Sequence, residues 1–363
     1  MTSPAVPEKW ISGFNASEPL AEAAHRALSQ RLEAVETFLR PVRRPTMSVE
    51  QVHQLRVATR RASAALRAFE SCLKNNTVRR MDRRLKKIRS AAALVRAADV
   101  HVSLLSRQLA VASNEDRAAI EHLISLIALE RTELARDLAR PARKLTKGKF
   151  MRRVNKLLDS IKPGDTAASF QQAADSSLRQ MAGQLRASLA ADLHDPDSLH
   201  AVRLHGKRLR YGLEIFAVCA DSASRDHLYG ELASLQERLG AINDQYELAA
   251  RASLAVHQLR DALSANESDA NPSQGLLPEL ERLQHSYRAA AEQAHQQFLE
   301  WWQSEQSLAL RESIAGMAGD VAPSEADPLG DGSSSEEHPP EVVIVNETIE
   351  AMTDPAPAHE DER

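Results

Sequence analysis

Aromatic residues are scarce in this chain: seven Phe, four Tyr and three Trp in 363 residues, with only two Cys. Two thiols cannot build a disulfide framework. So few rings, in a background rich in Ala, Leu, Arg and Glu, disfavour strands and favour helices. Long apolar runs are also missing. No stretch approaches the roughly 18 apolar residues of a membrane span, and the first thirty residues lack the basic start and apolar run of a secretory leader. The expectation is a soluble cytoplasmic chain with no membrane partner. No glycine-rich phosphate loop, carboxylate pair or activated nucleophile stands out, so enzyme chemistry and an organic cofactor are not expected.

A strong net charge is lacking too, but only in the total. The formal charge is −4, yet residues 317–363 hold thirteen acids against one Arg, a net of −12, which leaves +8 on residues 1–316. Residues 40–110 alone carry seventeen Lys and Arg against four acids. A body so basic calls for an anionic partner.

The residues around His53 return around His200. Val-His-Gln-Leu-Arg-Val-Ala-Thr-Arg-Arg at 52–61 is answered by Leu-His-Ala-Val-Arg-Leu-His-Gly-Lys-Arg at 199–208. At a constant offset of 147, His53 pairs with His200, Arg56 with Arg203, Arg60 with Lys207, Arg61 with Arg208, Phe69 with Phe216 and Cys72 with Cys219. Such self-similarity means one unit used twice; the paired cysteines read as small buried side chains rather than a redox couple.

Punctuation then divides the chain. After an N-terminal arm at 1–14, the first half (15–165) is expected to hold helices at about 18–40, from Ser48 to Asn75, at about 78–112 and to about 140, with Ser48 and Gln51 forming a capping box. A basic segment from Arg140 to Lys156, interrupted by Pro141 and Gly148, leads to a Lys-Pro-Gly-Asp turn at 162–165. The second half (166–316) repeats this order: helices at about 167–192, from Asp195 to about 220 and at about 224–265, a loop at 271–275 and a helix to about 310. Four helices per half predict an all-α pair of bundles. The tail at 317–363 is too polar to bury a core and is expected to be disordered.

At about 100° per residue, His53, Arg56, Arg60 and Arg67 share one narrow stripe of the first motif helix, with Leu55, Ala62, Leu66 and Phe69 on the opposite side. His200, Arg203, Lys207, Arg210 and Tyr211 line the matching face of the second, and Arg61 and Arg208 flank the stripes about 80° round. These rows are almost free of acids, unlike an ordinary solvated helix with its Glu–Lys pairs. Arg outnumbers Lys, and its planar fork suits phosphate oxygens. The residues therefore read as an oxyanion-binding surface. A metal is not expected: His194, Asp195, Asp197, His200 and His205 cluster in sequence, but His200 and His205 diverge by about 140° on a helix.

Over roughly residues 15–310 the chain resembles the CHAD family, the conserved histidine α-helical domain. The resemblance rests on His53, Arg56, Arg60 and Arg61 in the first half and on His200, Arg203, Lys207, Arg208, Leu209, Arg210 and Tyr211 in the second. Further matches are Arg96 with Asp99-Val100, and Leu235-Gln236, Leu239-Gly240 and Asn243-Asp244. It implies two four-helix bundles related by a pseudo-twofold around a basic cleft, and binding of inorganic polyphosphate, often on granules. Taken with the helical stripes, the expected polyphosphate-binding set is His53, Arg56, Arg60, Arg61, Arg67, Arg89, Arg96, His200, Arg203, Lys207, Arg208, Arg210 and Tyr211. Ser63 and Ala97 depart from the family pattern, which usually has Arg and Asp at those positions. Relatives often carry a triphosphate tunnel domain with a Glu-x-Glu-x-Lys strand. The nearest run here, Glu279-Leu-Glu281, continues as Arg282-Leu283 in a helical context, so that enzyme is not expected.

General polyanion or nucleic-acid binding is the competing class, although few aromatics are available to stack on bases and no reading motif is present. A scaffold holding protein partners at a granule surface is the third.

Overall fold

The computed structural model describes residues 9–146, 149–161, 168–265 and 275–319. The turn expected at 162–165, nearly all of the 271–275 loop, most of the N-terminal arm and the acidic tail beyond Gly319 lie outside them. The described residues form ten α-helices: α1 Leu20–Leu39, α2 Val49–Ala68, α3 Asn75–Leu109, α4 Asn114–Thr146, α5 Lys149–Leu158, α6 Phe170–Leu189, α7 Pro196–Ile215, α8 Ser222–Ala265, α9 Leu276–Gln303 and α10 Leu308–Ala318. Among these residues the extended structure is one isolated antiparallel bridge, Pro19 with Ser169. No described helix is long and apolar enough to cross a membrane.

Local chemistry starts the two motif helices. Ser48 Oγ accepts from the Gln51 amide at 3.2 Å and Gln51 Oε1 accepts from the Ser48 amide at 3.0 Å, the reciprocal cap expected for α2. Asp195 caps α7 by accepting from the Ser198 amide at 3.0 Å, with Pro196 already φ-restricted at the first helical position. α2 and α7 are both 20 residues long and start 147 residues apart, as do α3 and α8.

Each half has five helices rather than the four expected. α4 passes straight through Pro141, because Leu138 and Ala139 before it and Ala142 and Leu145 after it are all buried. That burial outweighs the lost backbone hydrogen bond. α5 hides in the segment that looked merely basic: Phe150, Val154, Leu157 and Leu158 repeat at helical spacing and face the core. In the second half the chain breaks at Ser304 and restarts as α10, where a single helix to about 310 was expected.

The two halves are also not separate bundles. One buried cluster runs through both, and Phe69 and Phe216, equivalent residues of the repeat, meet with ring centroids 6.2 Å apart while Phe170 packs on each. A second core joins the distal ends of the α3–α4 and α8–α9 hairpins, where Leu105, Ile120 and Ile127 meet Val256, Leu280 and Tyr287. Tyr287 Oη donates to Gln108 Oε1 across it at 2.7 Å. Between the two cores, the polar faces of α2, α3, α7 and α8 are brought together.

Candidate functional site

A small crevice opens between α2, α3 and α7. It is lined by Arg60 and Arg67 from α2, Arg89 from α3, and Leu204, Lys207, Arg208 and Tyr211 from α7. Five cations from three helices converge, and no lining residue is acidic. Arg89 is aimed by Ser63, which is fully buried and accepts from Arg89 Nη1 at 2.9 Å.

Arg56 lies deeper. Burial drives the Arg56 guanidinium well below its usual proton affinity, and the like charges of Arg60, Arg203 and Arg89 add to that against an opposing effect of Tyr211. Its Nη1 is sealed from solvent with no hydrogen-bond acceptor among the described residues. A buried donor left this way costs about 1–3 kcal/mol. His53, one turn earlier, is pushed below the ordinary imidazole value by burial and by Arg96, with Glu50 opposing and Arg56 and Arg60 reinforcing.

Around Arg203 a separate polar network joins α7, α8, α3 and α4. Arg203 Nη1 donates to Asn243 Oδ1 at 3.5 Å, and Asn243 donates to Glu247. His101 is fully buried; its Nδ1 accepts from Arg251 Nε at 2.8 Å, so its proton sits on Nε2, 2.8 Å from Glu247 Oε2. Arg251 continues to Glu130 on α4. Burial would raise the Glu247 carboxyl, but the hydrogen bonds from His101 and the Asn243 amide, together with the charge of Arg203, hold it below its usual value. Asp244 is pushed up, by burial and by Glu247, against His101, Arg203 and Arg96. A carboxylate-bearing network on α8 thus lies beyond the residues that line the cationic crevice.

Arg61 is not in the crevice. Its Nε and Nη2 donate to the two oxygens of Glu214 at 2.6 and 3.2 Å, where Tyr229 Oη also donates at 2.8 Å. Glu214 is 1% exposed. Lying about 80° from the stripe, Arg61 meets α7 instead of the opening. Arg210 is likewise set apart: its guanidinium stacks over Tyr211 and Tyr229, at 5.7 and 5.6 Å from the ring centroids. His200 is half-buried on the first turns of α7, one turn before Arg203, and does not line the crevice. Arg96 lies beside His53 and Asp244.

The repeat makes the Arg61–Glu214 pair informative. Its equivalent, at offset 147, is Arg208 with Arg67, and both of those line the crevice. Arg61 is therefore neutralised by a buried ion pair, whereas at the equivalent positions Arg208 has a second cation, Arg67, where the carboxylate would be. Arg89 likewise corresponds to Gln236. Glu214, His101 and Arg251 escaped the sequence reading. A sign change between repeat positions 67 and 214 was the available signal for the first; the other two had none.

The CHAD domain family model matches residues 26–253. The chain belongs to the CHAD domain family. Among solved structures it is similar to the CHAD domain from the plant Ricinus communis, with 20% identity, a TM-score of 0.57, and coverage of 86% of this chain and 96% of that one. It is also similar to PptA from Streptomyces chartreusis, with 21% identity, a TM-score of 0.52, and coverage of 79% and 100%. Identities this low establish the shared fold alone. No curated protein sequence matches.

Both departures from the CHAD pattern have a structural counterpart. Ser63 gives up a cation but directs Arg89 into the crevice. Ala97 leaves its own half without an acid at that position, yet Arg96 still has a carboxylate neighbour in Asp244, the residue equivalent to Ala97 in the other half. The described residues of this CHAD domain contain no group of three or more His, Cys, Asp or Glu able to hold a metal ion.

Proposed function

We propose that the crevice binds inorganic polyphosphate without transforming it, and that this binding attaches the protein to polyphosphate granules, where partner proteins can be held. The observation that carries the reading is the convergence of Arg60, Arg67, Arg89, Lys207 and Arg208 on one opening with no carboxylate lining it. Crowded guanidiniums are costly to the empty protein; an oxyanion chain removes that cost and gives the buried Arg56 Nη1 an acceptor. Polyphosphate offers only charge and oxygen acceptors at short intervals, and donors on successive helical turns, about 5.4 Å apart, match such a ligand. The sole aromatic lining residue, Tyr211, is buried, so the crevice supplies no open ring for a base. The lining also lacks a carboxylate or activated nucleophile, which fits binding better than hydrolysis.

The test is competitive binding at about 0.15 M salt, where exposed charges are screened beyond about 8 Å. Long-chain polyphosphate should outcompete heparin and single-stranded DNA. The double substitution Arg60→Gln and Lys207→Gln should weaken polyphosphate binding by about 100-fold or more, taking each charge-assisted hydrogen bond as about 1.5–3 kcal/mol, while circular dichroism stays unchanged. Equal displacement by all three polyanions, or full affinity in the double variant, would refute the assignment.

A further inference from the structure

A second cationic surface lies outside the crevice. Arg79, Arg80, Arg83 and Lys87 are exposed on the outward side of α3, and Arg84 beside them is near enough to Arg153 of α5 for the like charges to lower its proton affinity, after burial and together with Arg80 and Arg83. Among the described residues none of these six makes an ion pair. Arg83 and Arg84 instead donate to the carbonyls of Arg79 and Arg80, at 3.2 and 2.9 Å. The one acid between residues 75 and 98, Asp82, is half-buried with Oδ1 sealed from solvent.

The fold does not require this surface. At offset 147, α8 carries Asp226, His227, Gly230, Glu231 and Ser234 where α3 carries Arg79, Arg80, Arg83, Arg84 and Lys87. The same helix in the same fold is therefore built without the cations. Helix stability does not account for them either: the first turn of α3 has no acid, its N-cap Lys74 makes no capping bond, and cations near a helix N-terminus oppose the macrodipole. Solvation alone would be served equally by mixed charges.

We infer that the outward face of α3, with Arg153 of α5, is a second phosphate-polymer surface over which a chain emerging from the crevice continues. This rests on the polyphosphate reading of the crevice. Arg89 lines the crevice, and Arg83, about 120° round the same helix, is displaced from it by about 9 Å along the axis. A flexible polymer can turn that corner. Nucleic acid fits less well because residues 75–90 contain no aromatic side chain, and a membrane fits less well because no large hydrophobic residue is exposed among them. The consequence is chain-length discrimination, since only a long polymer reaches both surfaces.

Full-length protein carrying Arg80→Gln, Arg83→Gln and Lys87→Gln should bind triphosphate as the wild type does. It should bind long-chain polyphosphate about tenfold more weakly, with a log–log salt slope shallower by about two to three. The Arg60→Gln/Lys207→Gln protein should lose both ligands. If the triple variant keeps wild-type affinity and salt slope for long chains, the second surface is wrong and the crevice reading stands. If the double variant keeps both ligands, the crevice reading fails and the continuation fails with it. Phosphatidylserine vesicles and single-stranded DNA serve as controls: a triple variant that loses either of these but not long-chain polyphosphate overturns the inference.

Discussion

His53 shows how a single side chain reports on the cleft. In the empty protein its proton affinity is depressed by burial and then by Arg96, Arg56 and Arg60, with Glu50 on the first turn of α2 opposing. A bound phosphate chain adds negative charge beside those cations and raises that affinity. The complex then holds more proton on His53 than the empty protein does, so affinity rises as pH falls towards and through the depressed imidazole value, and is lowest above the value reached in the complex. Each increase of one in its pKa on binding corresponds to about tenfold tighter binding at the acidic end. Titrating the dissociation constant from pH 8 to pH 5.5 should show this rise, and His53→Gln should flatten the part that His53 carries. A wild-type curve without slope, or one that His53→Gln leaves unaltered, would remove His53 from the site. The stripe containing His53, Arg56, Arg60 and Arg67 was legible at one residue per 100°. The fate of Arg61 was not, since its partner Glu214 is 153 residues away and helical periodicity carries no information about which distant face a flanking residue meets.

Among the elements, α6 packs against α7 at Gly212, where a Cβ would lie 2.7 Å from Met181 Sδ and 3.2 Å from Leu178 Cδ2. Its equivalent on α2 is Ala65, which is fully buried. The second pair is thus packed tightly enough to exclude the methyl that the first contains. Gly212→Ala gains about 1 kcal/mol in helix propensity but forces Met181 aside, an overpacking cost of about 1–3 kcal/mol. Chemical denaturation should show net destabilisation, and Met181→Ala in the same chain should reduce the effect of the added methyl. A Gly212→Ala protein more stable than wild type would mean that Met181 yields freely. Helix starts at this scale were readable wherever a cap fixed them, as at Ser48 and Asp195. α5 was not, because Lys149, Arg152, Arg153 and Lys156 drew attention from the four apolar residues that bury it. Pro141 misled for a related reason: a proline's local cost is visible in sequence, whereas the packing that overrides it is not.

At the scale of the molecule, the repeat invites two folding units but the cores deny them. The proximal core crosses the boundary through Phe69, Phe170 and Phe216, and the distal core needs helices from both halves. Neither half can close its own interior, so the chain should unfold as one cooperative unit. The tryptophans permit a direct check, because Trp10, Trp301 and Trp302 all belong to or pack against the proximal core while helicity reports on every helix. Their fluorescence and the far-ultraviolet dichroism should lose native signal at the same denaturant concentration. Phe216→Ala, removing a fully buried ring at the meeting of the halves, should cost about 3–5 kcal/mol and shift both midpoints together. Helicity persisting after the tryptophan transition would instead identify the distal hairpins as an independent unit. That result would also bear on the crevice, because Arg89 lines it from α3, and α3 and α8 each contribute buried residues to both cores.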